Sequence, residues 1–134
     1  MSGRISGHQD ARRALGRSGE QYAAGFYEGR GALVLGRNIS YPFGELDLVL
    51  QEPDSTVVFA EVKTRATLAF GGAESVTPAK RRRLRAAATA WLGEHRELGW
   101  VPVRFDVVLL VVAGDEAPGQ FTIDHYEGIF DGAR

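Results

Sequence analysis

Residues 44–65 read GELDLVLQEPDSTVVFAEVKTR, and the alternation within this stretch decides the fold. From Gly44 to Gln51, Leu46, Leu48 and Leu50 fall on one side of an extended strand, with Glu45, Asp47 and Val49 on the other. From Thr56 to Thr64, Val57, Phe59, Glu61 and Lys63 share a face, and Val58, Ala60 and Val62 share the opposite one. Pro53-Asp54 supplies the turn between the two runs. A hairpin centred on Asp54 sets Asp47 across from Glu61, and directly opposed residues point to the same side. Two carboxylates and one amine are therefore expected to converge. A Glu-x-Lys tripeptide alone is usually a solvated strand face. Here it follows Val57 and Phe59, so the strand runs from core into a polar end, as where a sheet opens onto a site.

Outward from this hairpin, Leu15, Gly19, Tyr22, Ala23 and Phe26 recur at helical spacing and predict a helix from about Ala11 to Gly29. Glu20 projects to the edge of that stripe, and residues 1–10 read as a flexible tail. Gly31–Ser40 reads as a first strand. After a loop at Ala66–Val76, Thr77 and Pro78 open a second helix as N-cap and first residue, running to about His95. Its apolar face is Leu84, Ala88, Trp91, Leu92 and His95. Val103–Val112 reads as a buried strand and Phe121–Tyr126 as the last one, with a short terminal turn at Glu127–Phe130. The order α-β-β-β-α-β-β implies a single α/β domain with a mixed sheet of about five strands flanked by helices.

The composition, 44% apolar and 25% charged, is that of an ordinary globular chain. It holds no cysteine, which excludes disulfides and thiolate metal sites and fits the cytoplasm as the expected location. The longest apolar run, Val107–Ala113, is too short to span a membrane, and MSGRISGHQDARR has no apolar core of a signal peptide. The net charge of −1 is uninformative, but its distribution is not. Lys80, Arg81, Arg82, Arg83 and Arg85 crowd the start of the second helix, and Arg4, Arg12, Arg13 and Arg17 cluster near the N-terminus. Such asymmetry suits phosphate binding. Lys80 points along the apolar face toward a site, whereas Arg82, Arg83 and Arg85 point mostly away.

Hydrolysing a phosphodiester needs an activated water, neutralisation of charge on the phosphate and help for the leaving oxygen. Mg²⁺ (or Mn²⁺) supplies much of this when one or two carboxylates hold it. Asp47 and Glu61 are the candidate ligands, with the Val62 carbonyl as a further one. Lys63 is the candidate to orient or deprotonate the water or to stabilise the transition state. Glu20 could assist through a water on the metal. His8, His95 and His125 are scattered and form no zinc pattern, and Gly71-Gly72 lacks the lysine of a phosphate loop. Asp106, two residues after Arg104, reads as one half of a buried ion pair in preference to a helper of the site.

The series Gly16-x-x-Gly19-Glu20-x-x-Ala23, Asn38, Gly44–Val49, Phe59–Arg65, Phe70-Gly71, Val76, Lys80 and Arg104–Val108 resembles the YraN-like family of small bacterial proteins. That family is similar to the PD-(D/E)XK nucleases, closest to archaeal Holliday-junction resolvases. The resemblance runs from about residue 15 to 130. It implies a restriction-endonuclease-like fold, Mg²⁺ dependence and a nucleic-acid substrate, most readily structured or branched DNA in repair or recombination. By motif position Asp47, Glu61 and Lys63 match the catalytic aspartate, glutamate and lysine, Glu20 the helical acid and Lys80 the accessory base. Leu46 stands where the motif has proline. Ile39–Phe43 (ISYPF) is more apolar than the basic segment expected there. Arg65, Lys80, Arg81, Arg82, Arg83 and Arg85 are the expected nucleic-acid contacts. Cutting two strands of a junction makes a homodimer an option. The competing expectation is a non-catalytic nucleic-acid-binding or partner-recruiting protein on the same fold, for which the basic helix alone suffices.

Overall fold

The hairpin of residues 44–65 forms the middle of the sheet in the computed structural model, which describes residues 3–66, 77–112 and 120–129. The elements are α1 (Gly3–Glu28), β1 (Leu33–Tyr41), β2 (Gly44–Gln51), β3 (Val57–Arg65), α2 (Pro78–Glu94), a 3₁₀ turn (Arg96–Leu98), β4 (Val103–Val112) and β5 (Phe121–Tyr126). The five strands lie in sequence order across one sheet. Every pair is antiparallel except β3 with β4, which run parallel because α2 carries the chain back between them. This is the expected mixed α/β sheet with its expected element order. Phe70, Gly71, Gly72, Val76 and Phe130, named above, lie outside the described residues.

α1 begins at Gly3, well before Ala11, and takes in most of the segment expected as a tail. No proline interrupts the chain before Pro42, and a nucleated helix propagates at one hydrogen bond per residue. The buried stripe of α1 also differs from the expected one: Ala24 and Tyr27 join Ala23 in the core, while Leu15, Tyr22 and Phe26 pack at its margin. α2 starts where expected, because the Thr77 hydroxyl accepts the Lys80 N–H at 3.1 Å and Pro78 fills the first turn. It ends at Glu94. His95 caps it, with its ring stacked on Trp91 at 3.8 Å.

Each face of the sheet carries one helix. Ala23, Ala24 and Tyr27 of α1 pack on Leu48, Leu50, Val58, Ala60, Val108 and Leu110. Leu84, Ala87, Ala88 and Trp91 of α2 pack on Leu46, Val49, Val57, Phe59, Phe105 and Val107. Leu46 is thus on the opposite side from Leu48 and Leu50, not alongside them as simple alternation predicts. The change occurs between the cross-strand pairs Arg37–Leu48 and Ile39–Leu46, where Asn38 adopts a left-handed backbone with φ of 50°. Ile39 follows Leu46 into the α2 cluster, so both strands turn over together at Asn38 and Asp47.

The β2–β3 turn is closed by Asp54, whose carboxylate accepts the Thr56 N–H at 3.0 Å. It sets the pairs Gln51–Val57, Leu50–Val58, Val49–Phe59 and Leu48–Ala60, the register expected for a hairpin centred on Asp54. Pairing then stops, although β2 extends back to Gly44 and β3 runs on to Arg65 beside β4. The sheet is therefore forked at this end.

On the α1 face, Asp106 is almost wholly buried and heavily partnered. Its carboxylate accepts from Arg104 Nε at 2.9 Å, Tyr27 Oη at 2.8 Å and the Gly128 N–H at 3.1 Å, and lies 2.8 Å from His125 Nε2. Burial works to raise its pKa, but the bonds from Arg104, His125, Tyr27 and Gly128 outweigh it and hold the carboxyl below the usual range. The ion pair with Arg104 is the one expected from sequence. Asp106→Ala should destabilise the protein by about 3–5 kcal/mol in urea unfolding, because it strands these donors. A loss under about 1 kcal/mol would contradict this account of the network.

Candidate active site

Asp47 and Glu61 meet at the fork. In an unbroken ladder the next β2–β3 pair after Leu48–Ala60 would be Asp47–Glu61. Instead, Asp47 Oδ2 accepts the Val62 N–H at 2.9 Å, and a side chain takes the place of a backbone acceptor. In an extended strand, the N–H and C=O of one residue point to the same edge. The Val62 carbonyl therefore also faces the fork, where the sequence reading placed it as a third oxygen donor. Glu61 is 7% exposed. Its Oε1 lies 3.2 Å from Lys80 Nζ and 3.6 Å from Lys63 Nζ. β3 supplies Glu61 and Lys63 on one face, and the capped first turn of α2 supplies Lys80.

Glu20 approaches from the other helix. It borders a recess with Asp47, Asn38 and Arg37, and another with Val62, Thr64 and Arg65. α1 comes this close because residue 19 is glycine: a β-carbon there would overlap the Thr64 hydroxyl. Of the two motif glycines only Gly19 is so constrained, since Gly16 has open space. Thus Asp47, Glu61, Lys63, Lys80 and the Val62 backbone are brought together, with Glu20 at the α1 side. Arg83 borders a cleft with Glu61 and Lys80. Arg65 lies at the end of β3, its guanidinium 3.3 Å from the Thr64 carbonyl. Arg81, Arg82 and Arg85 are exposed along α2.

Burial works against the charged form of Asp47, Lys63 and Lys80 alike. Burial first, and then the Glu61 charge, push the Asp47 carboxyl up to about 7, against the pull of the Val62 N–H. Burial and a hydrogen bond with Lys80 hold Lys63 below the ordinary lysine value. Burial also works to lower Lys80, but the bond to Lys63 and the Glu61 and Asp47 charges raise it. Lys63 is therefore the more readily deprotonated of the two amines.

Among the described residues, no three acidic or histidine side chains stand together as a metal cluster. Mg²⁺ does not require three, because it is commonly held by one or two carboxylates with substrate oxygens and water. Two carboxylates and a carbonyl edge, all hard oxygen donors, fit such an ion.

The model of uncharacterised protein family UPF0102 matches residues 19–110, a span that contains Glu20, Asp47, Glu61, Lys63 and Lys80. The chain belongs to this family. It is the family that the sequence resemblance pointed to. The chain is 50% identical over 121 residues to a UPF0102 protein of Corynebacterium efficiens, covering 90% of this chain and 94% of that one. A UPF0102 protein of Mycolicibacterium gilvum is 44% identical over 122 residues, covering 90% and 96%. One of Anaeromyxobacter dehalogenans is 43% identical over 133 residues, covering 98% and 95%.

Two features of this UPF0102 chain escaped the sequence reading. Asn38 matched the motif without a role, and its left-handed backbone is what turns the strands over beside Asp47. Tyr41 and Phe43 wall the cleft that leads to Glu61. An aromatic residue on each side of Pro42, just ahead of GELD, was the available signal.

A carboxyl whose pKa is raised by folding favours the protonated state. In metal-free protein, Asp47 should therefore support stability fully below the unfolded value, about 4, and lose it as pH rises toward about 7. Asp47→Asn keeps an acceptor for Val62 and can donate to Glu61. In EDTA at alkaline pH, this variant should be more stable than wild type by on the order of 2 kcal/mol, and the gap should close in acid. A variant less stable than wild type in thermal unfolding under alkaline conditions would refute the desolvated, like-charge account.

Proposed function

We propose that this chain is a divalent-metal-dependent nuclease that hydrolyses phosphodiester bonds in structured or branched DNA. The observation that carries this reading is the meeting of Asp47 and Glu61 in the fork, with Lys63 and Lys80 both against Glu61 Oε1. The cation, Mg²⁺ or Mn²⁺, would be held by Asp47, Glu61 and the Val62 carbonyl, and when bound it supplies charge neutralisation at the phosphate and activation of water. Lys63, with its lowered pKa, would take a proton from the attacking water. Lys80 keeps its positive charge and can stabilise the developing oxyanion. Glu20 can orient water from the α1 side.

The placement of the cations supports a nucleic-acid substrate. α2 has no acidic residue in its first turn, and Lys80, Arg81, Arg82 and Arg83 crowd its start. The positive end of the helix dipole disfavours cations at that position. Such an arrangement opposes helix stability and favours an arriving polyanion. Among the described residues no helix is long and apolar enough to cross a membrane.

The test is cleavage of labelled single-stranded, duplex, flap and four-way-junction DNA, and of RNA, in Mg²⁺ or Mn²⁺ and then in EDTA. Wild type should cut branched DNA only with metal. Asp47→Ala and Lys63→Ala should each lower the rate by roughly 10²–10⁴-fold while retaining binding. Removing Arg82 and Arg83 together should weaken binding to every sequence and flatten its salt dependence. Binding without cleavage of any substrate would sink the nuclease reading in favour of a non-catalytic DNA-binding protein.

A further inference from the structure

A cleft of about 500 Å³ is lined by the β1–β2 turn, the first half of α2 and Glu61. Its lining includes the charged Glu61, Lys80 and Arg83 and the aromatic Tyr41 and Phe43. The two aromatic rings are nearly parallel, 10° apart in plane with centroids 5.4 Å apart. Tyr41 is held in place, because its hydroxyl donates to Glu94 Oε1 at 2.6 Å. Phe43 lies against it and is 45% exposed. Single exposed phenylalanines are common and need no explanation. This one is held flat on an anchored tyrosine beside a cationic cleft.

The turn that carries the pair is also seated firmly. A β-carbon at Gly44 would come within 2.7 Å of the Arg83 carbonyl oxygen, so the turn backbone rests directly on α2. Pro42 limits the backbone between the two rings. The stack therefore exists before any ligand arrives, and no ordering of flexible side chains opposes its use.

We propose that Tyr41 and Phe43 form a stacking platform for an unpaired nucleobase of single-stranded DNA. Its phosphate end rests on the nuclease reading above. An aromatic face beside cationic side chains matches the two parts of a nucleotide, with Phe43 taking the base and Arg83 and Lys80 the flanking phosphates. Bases within a duplex are stacked on one another and offer no free face. The platform therefore selects strands that are already splayed, as at a flap or junction.

The test uses full-length protein in EDTA, so that nothing is cut, with a single-stranded oligonucleotide carrying 2-aminopurine and a blunt duplex of the same sequence. Wild type should quench the 2-aminopurine and prefer the single strand. Phe43→Ala should abolish the quench and weaken single-strand binding roughly tenfold, leaving duplex affinity unchanged. Phe43→Trp should restore both. Circular dichroism of each variant checks the fold. An unchanged quench and single-strand affinity in Phe43→Ala overturns the platform. So does conversion of a dimer to monomers by Phe43→Ala with single-strand affinity intact, which would make the patch a protein interface. If wild type quenches through Phe43 yet cleaves nothing in Mg²⁺, the platform stands and the nuclease reading falls. If wild type cleaves and Phe43→Ala binds as wild type does, the reverse holds.

Discussion

The hydrogen bond from the Val62 N–H to the Asp47 carboxylate is the constraint on which the site depends. A backbone donor within a sheet must be satisfied, and the ordinary partner would be a carbonyl of the neighbouring strand. Here a carboxylate takes that place, and the β2–β3 ladder ends one step earlier, at Leu48 and Ala60. Continued pairing would bring the β2 backbone against Val62 and close the gap that Glu61 and Lys63 border. Asn38 supports the same break from the other side of β2, since its left-handed backbone lets β1 turn over together with β2.

The fork is then braced by two close approaches, each made possible by a glycine. Gly19 lets α1 settle onto Thr64 and brings Glu20 to one side of the opening. Gly44 lets the β1–β2 turn rest on α2 at Arg83, which fixes the helix that delivers Lys80 to the other side. Neither glycine acts through its own chemistry. Each sets the distance between a helix and the sheet, and that distance decides whether a charged side chain reaches the carboxylates.

Much of this was legible because it is written locally. The bounds of β2, β4 and β5 follow from alternation and apolar runs, and the start of α2 from Thr77-Pro78. The β2–β3 register follows from the turn at Asp54, so the approach of Asp47 to Glu61 could be read from the chain, although the ladder stops one pair short of opposing them directly. What was not legible depends on groups distant in sequence. Strict alternation misplaced Leu46, because a single left-handed residue on the neighbouring strand reverses the facing of both. Tyr27 was not part of the helical stripe read from the sequence, yet it is fully buried, with its hydroxyl donating to Asp106, 79 positions away. The two aromatic residues flanking Pro42 were visible in the sequence, but their stacking beside the cleft was not, because the contact that seats the turn is with the backbone of α2.

Asp106 and Asp47 show how the fold treats two inward-facing carboxylates differently. Asp106 is surrounded by donors from α1, β4, β5 and the segment after β5, and its pKa falls despite burial. Asp47 receives one backbone N–H, faces Glu61 and is pushed up to about 7. Stability alone would favour the first arrangement at both positions, since a like-charge pair in a desolvated setting opposes folding. No buried polar side-chain atom among the described residues lacks a hydrogen-bond partner, so the fold is able to satisfy such groups. Among the described carboxyls with a displaced pKa, only Asp47 at the fork moves upward. Perturbed groups gathered at an opening in a sheet are what a catalytic site needs, because the charge that would relieve them arrives with the ligand.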